Sequence, residues 1–161
     1  MSTRNFFLIM TIISLSFNLF SQVHIYNLKA NATHDLDSAI TLAQQSNKHV
    51  FVQVGYNQCP WCILMHNFYT ADKQVDSVLN IFYVPVLINY SRDNKNEDVM
   101  TRLKFPQRFG FPVIVILDTA GNVIHTQNTL YLEQDRGYNK DLFIDFLKNW
   151  NTTAINPESY N

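Results

Sequence analysis

Cys59 and Cys62 are the only two cysteines in the 161-residue chain, and they sit three apart in Cys59-Pro60-Trp61-Cys62. The motif follows a dense apolar run, His49-Val50-Phe51-Val52-Gln53-Val54-Gly55. A short loop, Tyr56-Asn57-Gln58, then leads into helical periodicity at Ile63, Leu64, Met65, His66 and Phe68. Strand ends feeding helix N-termini are where open α/β sheets place their chemistry. Pro60 suits the first helical position, because its missing N–H costs nothing there and its φ is already helical. Cys59 is then the N-cap and Cys62 the third helical residue. An N-cap side chain accepts from the N–H groups two and three residues on, here those of Trp61 and Cys62, and it feels the positive end of the helix dipole. Both effects favour a thiolate, so the Cys59 pKa is expected below the free value of about 8.5. Cys62, one turn inward, is positioned to attack a mixed disulfide formed at Cys59, and the pair can cycle between dithiol and disulfide.

Other uses of the pair stay open at this point. A purely structural bridge across so small a ring contributes only about 2 kcal/mol. A metal site needs two further ligands, and no second C-x-x-C exists, although His66 lies four residues past Cys62 and makes a Cys59-Cys62-His66 set conceivable. Two cysteines with no role would have no reason to sit at this spacing on a strand–helix junction.

The flanking sequence supplies the elements that must hold the motif. Asp35 to Asn47 carries Leu36, Ala39, Ile40 and Ala43 at helical spacing, with Asp35 as the N-cap. Continuous β-branched and aromatic content over His49 to Gly55 reads as a strand covered on both faces. A second helix is expected over Asp72 to Asn80 and a strand over Ile81 to Ile88, where Pro85 calls for a bulge, an edge position or a later start. Asp93 to Lys104 reads as an amphipathic helix. Pro112 to Leu117 and Val123 to Thr126 flank the turn Asp118-Thr119-Ala120-Gly121-Asn122 and read as a hairpin. Gln127 to Tyr138 reads as a surface loop with a turn at Gly137, and Asn139 to Trp150 as the closing helix. Val23 to Tyr26 alternates weakly enough to give only a short edge strand. The order β-α-β-α-β-α-β-β-α is that of an α/β sandwich with a mixed central sheet.

Domain organisation follows from composition. Met1 to Ser21 has one early cation, Arg4, then an uncharged apolar run of about 15 residues, shorter than the roughly 20 of a spanning helix. It ends in a small residue, as a cleavable signal peptide does, the alternative being an uncleaved N-terminal anchor. Residues 22–150 then form one domain and residues 151–161 a polar, frayed tail. Export, to the periplasm or the exterior, places the cysteines where disulfides persist, with no stable membrane insertion after cleavage. At 47% hydrophobic residues, with four Gly and five Pro, the chain is neither disordered nor low-complexity. A net charge of −1 gives no footprint for nucleic acid.

The strand–loop–Cys59-Pro60-Trp61-Cys62–helix unit, followed by Gly110-Phe111-Pro112-Val113 before a hairpin and a final helix, resembles the thioredoxin superfamily, and within it exported bacterial thioredoxin-like proteins. The likeness spans roughly Leu36 to Trp150. It implies a thioredoxin-like fold, a mixed sheet flanked by helices on both faces. It also implies that Cys59 is the nucleophile, that Cys62 resolves the mixed disulfide and that Pro112 is cis beside them. The backbone of Phe111 would then pair with a substrate strand. Two positions depart from the family pattern. Gln53 stands where a buried acid is common and cannot accept the proton of the resolving thiol. Gln58 replaces a tryptophan, which leaves Trp61 and Tyr56 as the aromatics available to substrate.

The resulting expectation is a thiol–disulfide oxidoreductase. It would act on protein thiols or disulfides and exchange electrons with another redox protein, with no cofactor, since no glycine fingerprint for a nucleotide is present. The uncharged Pro60-Trp61 pair leans it towards reduction of substrates. The alternatives are a non-catalytic peptide-binding module or chaperone on the same fold, and a metallochaperone using Cys59, Cys62 and His66.

Overall fold

The computed structural model describes residues 24–161; the expected signal peptide, residues 1–21, lies outside the described residues. The order is α1 (Ala32–Ser46), β1 (His49–Gly55), α2 (Pro60–Ala71), α3 (Lys73–Phe82), β2 (Tyr83–Asn89), α4 (Glu97–Arg102), β3 (Val113–Leu117), β4 (Val123–Asn128), β5 (Glu133–Gln134), β6 (Gly137–Tyr138) and α5 (Lys140–Asn149). Three short 3-10 turns, Pro106–Phe109, Thr129–Leu132 and Pro157–Tyr160, fill connections and the tail. The main sheet runs β2-β1-β3-β4, with β1 parallel to β2 and antiparallel to β3, and β3 antiparallel to β4.

Every residue of β1 is buried, because helices cover both faces of the sheet. Alternation sends Val50, Val52 and Val54 into a core with Leu36, Ala39 and Ala43 of α1 and Val99 and Met100 of α4. Phe51, Ile114 and Ile116 face the other way, onto Met65 and Tyr69 of α2, Val75 and Leu79 of α3 and Phe143 and Leu147 of α5. His49, Gln53 and Gly55 share the face of Phe51 by the same two-residue period. The fold is therefore the mixed, doubly covered sheet that the sequence implies.

Several boundaries differ from the expectation, each for an identifiable reason. Helix α1 starts earlier, at Ala32. Its cap is Asn31, whose Oδ1 accepts from His34 N–H at 3.0 Å, and Asp35 falls in the first turn instead. Pro85 lies within β2, where the edge position exposes it and spares the missing donor. Helix α4 is only six residues long, because asparagines claim the preceding backbone. Asn96 Nδ2 donates to Asn89 O at 2.7 Å and Asn89 Nδ2 to Asn94 O at 2.9 Å. The turn expected at Gly137 sits at Asp135–Arg136, where Asp135 takes φ 55°, and Gly137 belongs to β6.

His24 to Tyr26 forms no strand. The backbone of Tyr26 is paired, but with a side chain: its N–H donates to Asn57 Oδ1 at 2.9 Å, and Asn57 Nδ2 donates to its carbonyl at 2.8 Å. One primary amide thus supplies the donor and acceptor that a neighbouring strand would offer. Residues 151–161, expected as a polar tail, are mostly exposed and carry local turns. Asn151 is buried, accepts from the N–H groups of Thr153 and Ala154, and is followed by the Pro157–Tyr160 turn.

Candidate active site at the N-terminus of the second helix

Cys59 caps α2 in extended backbone (φ −93°, ψ 104°), with Pro60 at the first helical position. Its Sγ accepts from Cys62 N–H at 3.2 Å, while Trp61 N–H makes no such bond, so one of the two expected donors reaches the sulfur. The loop into the cap is closed by Cys59 N–H donating to Tyr56 O at 3.1 Å. The two cysteines are joined as a disulfide. Cys62 is fully buried and Cys59 is 6% exposed, so only Cys59 offers any surface to an incoming sulfur.

The sulfurs sit in a small cluster of their own with Tyr26, bordered by Ile25, Tyr56, Trp61, Leu87 and Phe111. Phe111 precedes Pro112 through a cis peptide bond. Its ring is held edge-on by Tyr56 at 5.6 Å and stacked by Tyr90 at 5.2 Å. Pro112 is buried, and its carbonyl accepts from Thr129 Oγ1 at 2.7 Å. Tyr56, Gln58 and Phe111 open onto a cleft of about 330 Å³ whose far wall is Tyr90, Ser91, Arg92 and Lys95. Trp61 is half-buried, with its ring edge-on to Tyr138 of β6 at 5.7 Å. It therefore braces the β5–β6 hairpin as well as bordering the cysteines.

Beneath Cys62 lies an arrangement that the sequence did not announce. Gln53, fully buried, donates through Nε2 to Tyr26 Oη at 2.6 Å and to the Cys62 carbonyl at 3.0 Å. Its Oε1 is buried and makes no hydrogen bond. Gly55 is needed here for space: a Cβ at that position would lie 2.5 Å from Tyr26 Oη and 2.6 Å from Cys62 Sγ. Burial pushes the Tyr26 hydroxyl pKa up, against a smaller opposing effect of the Gln53 hydrogen bond. Tyr26 and Asn57 went unnoticed in the sequence because their pairing spans 31 residues and follows no period.

His66 does not join the cysteines. It packs edge-on against Tyr69 at 5.3 Å, burial holds its pKa down, and its buried Nδ1 has no partner. Among the described residues no three His, Cys, Asp or Glu side chains come together as a metal site. Among the described residues, too, no helix is long and apolar enough to cross a membrane.

Residues 29–157 match the Thioredox_DsbH family, described as a protein of unknown function, DUF255. No curated protein matches the chain in sequence. Among solved structures, the disulphide isomerase from Xylella fastidiosa Temecula1 superposes with a TM-score of 0.67 at 17% identity, over 79% of this chain and 96% of that one. A thioredoxin from Thermus thermophilus superposes with a TM-score of 0.52 at 20% identity, over 70% of this chain and 81% of that one. A strand-to-helix C-x-x-C on a mixed, doubly covered sheet agrees with these likenesses: the chain belongs to the Thioredox_DsbH family and has the thioredoxin fold.

Proposed function

We propose that this chain is an exported thiol–disulfide oxidoreductase, with Cys59 as the attacking thiolate and Cys62 as the resolving thiol. The observation that carries the reading is the unequal placement of the two sulfurs, Cys59 at the cap of a 12-residue helix with some exposure and Cys62 buried one turn inside. The Cys62 N–H and the helix dipole lower the cost of negative charge on Cys59. In the reducing direction, the Cys59 thiolate attacks a substrate disulfide R–S–S–R′, forms Cys59–S–S–R and releases R′–S⁻. The Cys62 thiolate then attacks Cys59 Sγ, releases R–S⁻ and closes the Cys59–Cys62 disulfide. Two electrons pass to the substrate, and a dithiol of another redox protein restores the reduced pair by the same steps in reverse. Pro60-Trp61 adds no charge that would hold the reduced form, which supports the reducing direction.

The substrates in this reading are protein disulfides. The backbone at Phe111-Pro112 holds an extended substrate segment by strand addition beside Cys59, and Trp61 and Tyr56 border the approach. Export rests on the composition of residues 1–21, and N-terminal sequencing of the protein from the extracytoplasmic fraction checks it: an intact Met1 overturns cleavage.

Exchange with a model protein disulfide, measured on Cys59→Ser and Cys62→Ala, tests the chemistry. Cys59→Ser should abolish turnover, and Cys62→Ala should accumulate mixed disulfides with its substrates in the native compartment. Full retention of cellular function by Cys59→Ser would instead make the chain a peptide-binding module on the same fold.

A further inference from the structure

From the Tyr26–Gln53–Cys62 arrangement we infer that the Tyr26 hydroxyl is the hydrogen-bond donor that stabilises the Cys62 thiolate, in the place where the thioredoxin pattern commonly puts a buried acid and this chain has Gln53. The inference rests on the proposed exchange chemistry for its purpose but not for its test.

Both hydrogens of the Gln53 amide are committed, one to Tyr26 Oη and one to the Cys62 carbonyl. Tyr26 Oη therefore enters its bond with Gln53 as acceptor, and its own hydrogen remains to be donated. Among the described residues no acceptor takes that hydrogen. Tyr26 is 2% exposed, so bulk water does not serve it, and a buried donor left unmade is costly. The sulfur of Cys62 flanks the same small space above Gly55. The distances from that point put the two atoms no more than about 5 Å apart. When the disulfide opens, Cys62 Sγ is released from Cys59 and is free to turn about its Cα–Cβ bond into hydrogen-bond reach of Oη.

The chemistry then differs from that of a buried carboxylate. A carboxylate takes the thiol proton; a tyrosine hydroxyl, itself a weaker acid than the thiol, keeps its proton and holds the charge that forms. As a substrate thiolate attacks Cys59 Sγ, the S–S bond breaks and Cys62 leaves with the electron pair, received by the Tyr26 O–H. In the opposite direction the same hydrogen bond raises the fraction of Cys62 present as thiolate for resolution. Asn57 fixes the donor by clamping the Tyr26 backbone to the loop that carries Cys59. Tyr26 is thus part of the cysteine machinery although it precedes the rest of the domain in sequence.

The test titrates Cys62 alone, in a reduced full-length chain carrying Cys59→Ser, by thiolate absorbance with and without Tyr26→Phe. A charge-assisted hydrogen bond of ordinary strength corresponds to about one pKa unit or more, so Tyr26→Phe should raise the Cys62 pKa by about one unit. In the two-cysteine chain, resolution should slow about threefold, the loss of thiolate being partly offset by its higher nucleophilicity. A second reading needs no substitution at Tyr26: the ¹³C-labelled ring carbon bearing its hydroxyl should shift with the midpoint of Cys62. Equal Cys62 pKa values in the two variants, or a Tyr26 signal indifferent to Cys62, would overturn the inference. A raised Cys62 pKa in a chain that exchanges no disulfides would leave the hydrogen bond standing and sink the proposed function instead.

Discussion

His49 and Gln53 lie on one face of β1 with Phe51 between them, both buried, in a strand otherwise built of apolar residues and glycine. At the His49 end the polar groups meet the C-terminus of α5, whose last carbonyls have no partner within the helix. The Nδ1–H of His49 donates to Trp150 O at 2.7 Å, Tyr83 Oη donates to Leu147 O at 2.6 Å, and Asn151 Nδ2 donates to Lys148 O at 2.9 Å. His125 stacks on Trp150 at 4.0 Å and closes the end over. At the Gln53 end the helix terminus is the N-terminus of α2, and its cap is a sulfur that can change its bonding partner. There, among the described residues, Gln53 Oε1 goes unpaired and the Tyr26 hydrogen has no acceptor. One end of the strand spends its polar capacity on fixed bonds; the other keeps some in reserve beside the cysteines. Hydrogen-bond capacity left over in a buried place is costly to stability, and at this end of β1 it lies beside the cysteines.

The largest effect that would break this contrast is expected from Asn57→Ala. It removes both partners of the Tyr26 backbone, leaving a buried N–H and a buried carbonyl unmade, at a cost of about 2–5 kcal/mol in all. Urea unfolding measures the loss, and amide exchange at Tyr26 should become fast even where the protein stays folded. A cost under about 0.5 kcal/mol, within the range of an unimportant surface change, would mean that the segment around Tyr26 is held by something other than Asn57.

At the fixed end, His49→Leu should be the next largest. It leaves the Trp150 carbonyl without its donor and should cost about 1–3 kcal/mol by the same measurement. Disulfide exchange should continue at the unmodified rate, because nothing at that end touches a sulfur. Comparable losses of exchange from His49→Leu and Asn57→Ala would erase the distinction between the two ends.

The two ends were also unequally legible in the sequence. Cys59 as cap, Pro60 at the first helical position and the β3–β4 hairpin are local signals, carried by neighbours within a few residues, and each stands where the sequence put it. Asp72 caps α3 for the same reason, its carboxylate accepting from Gln74 and Val75 N–H. The sandwich itself was readable from the continuous apolar run of β1 and from periodicity in the helices. Tyr26 was not, since its strand-like pairing comes from a distant side chain and leaves no period to detect. Gln53 was visible only as an apolar strand's odd residue and as a departure from the thioredoxin pattern; that its amide would bridge a tyrosine and the Cys62 carbonyl depends on how three segments pack. Asn31 moved the start of α1 away from Asp35, the acidic residue that looked like its cap, because either residue type caps well and only the surrounding turn decides between them.

A subtler separation of the two ends should come from pH. Burial holds the pKa of His49 below its usual 6.5, with the Trp150 carbonyl partly opposing, and holds that of His66 down as well. Both imidazoles are thus neutral in the folded chain at pH values where the unfolded chain has begun to protonate. The unfolded state then binds more protons, so stability present above about pH 6.5 falls as the pH drops towards the folded pKa values. The carboxylates of Asp72 and Asp118, whose pKa values are held below 3.8, contribute their loss only lower, beneath about pH 4. Subtracting the pH dependence of His49→Leu from that of the unmodified chain isolates the contribution of the fixed end. The difference should favour the unmodified chain most above pH 6.5 and shrink as the pH falls through the window below it. A difference that stayed flat from pH 7 to 5 would show that His49 keeps its ordinary affinity for protons, and that its end of the strand is more open to water than its packing against Tyr83 and Trp150 implies.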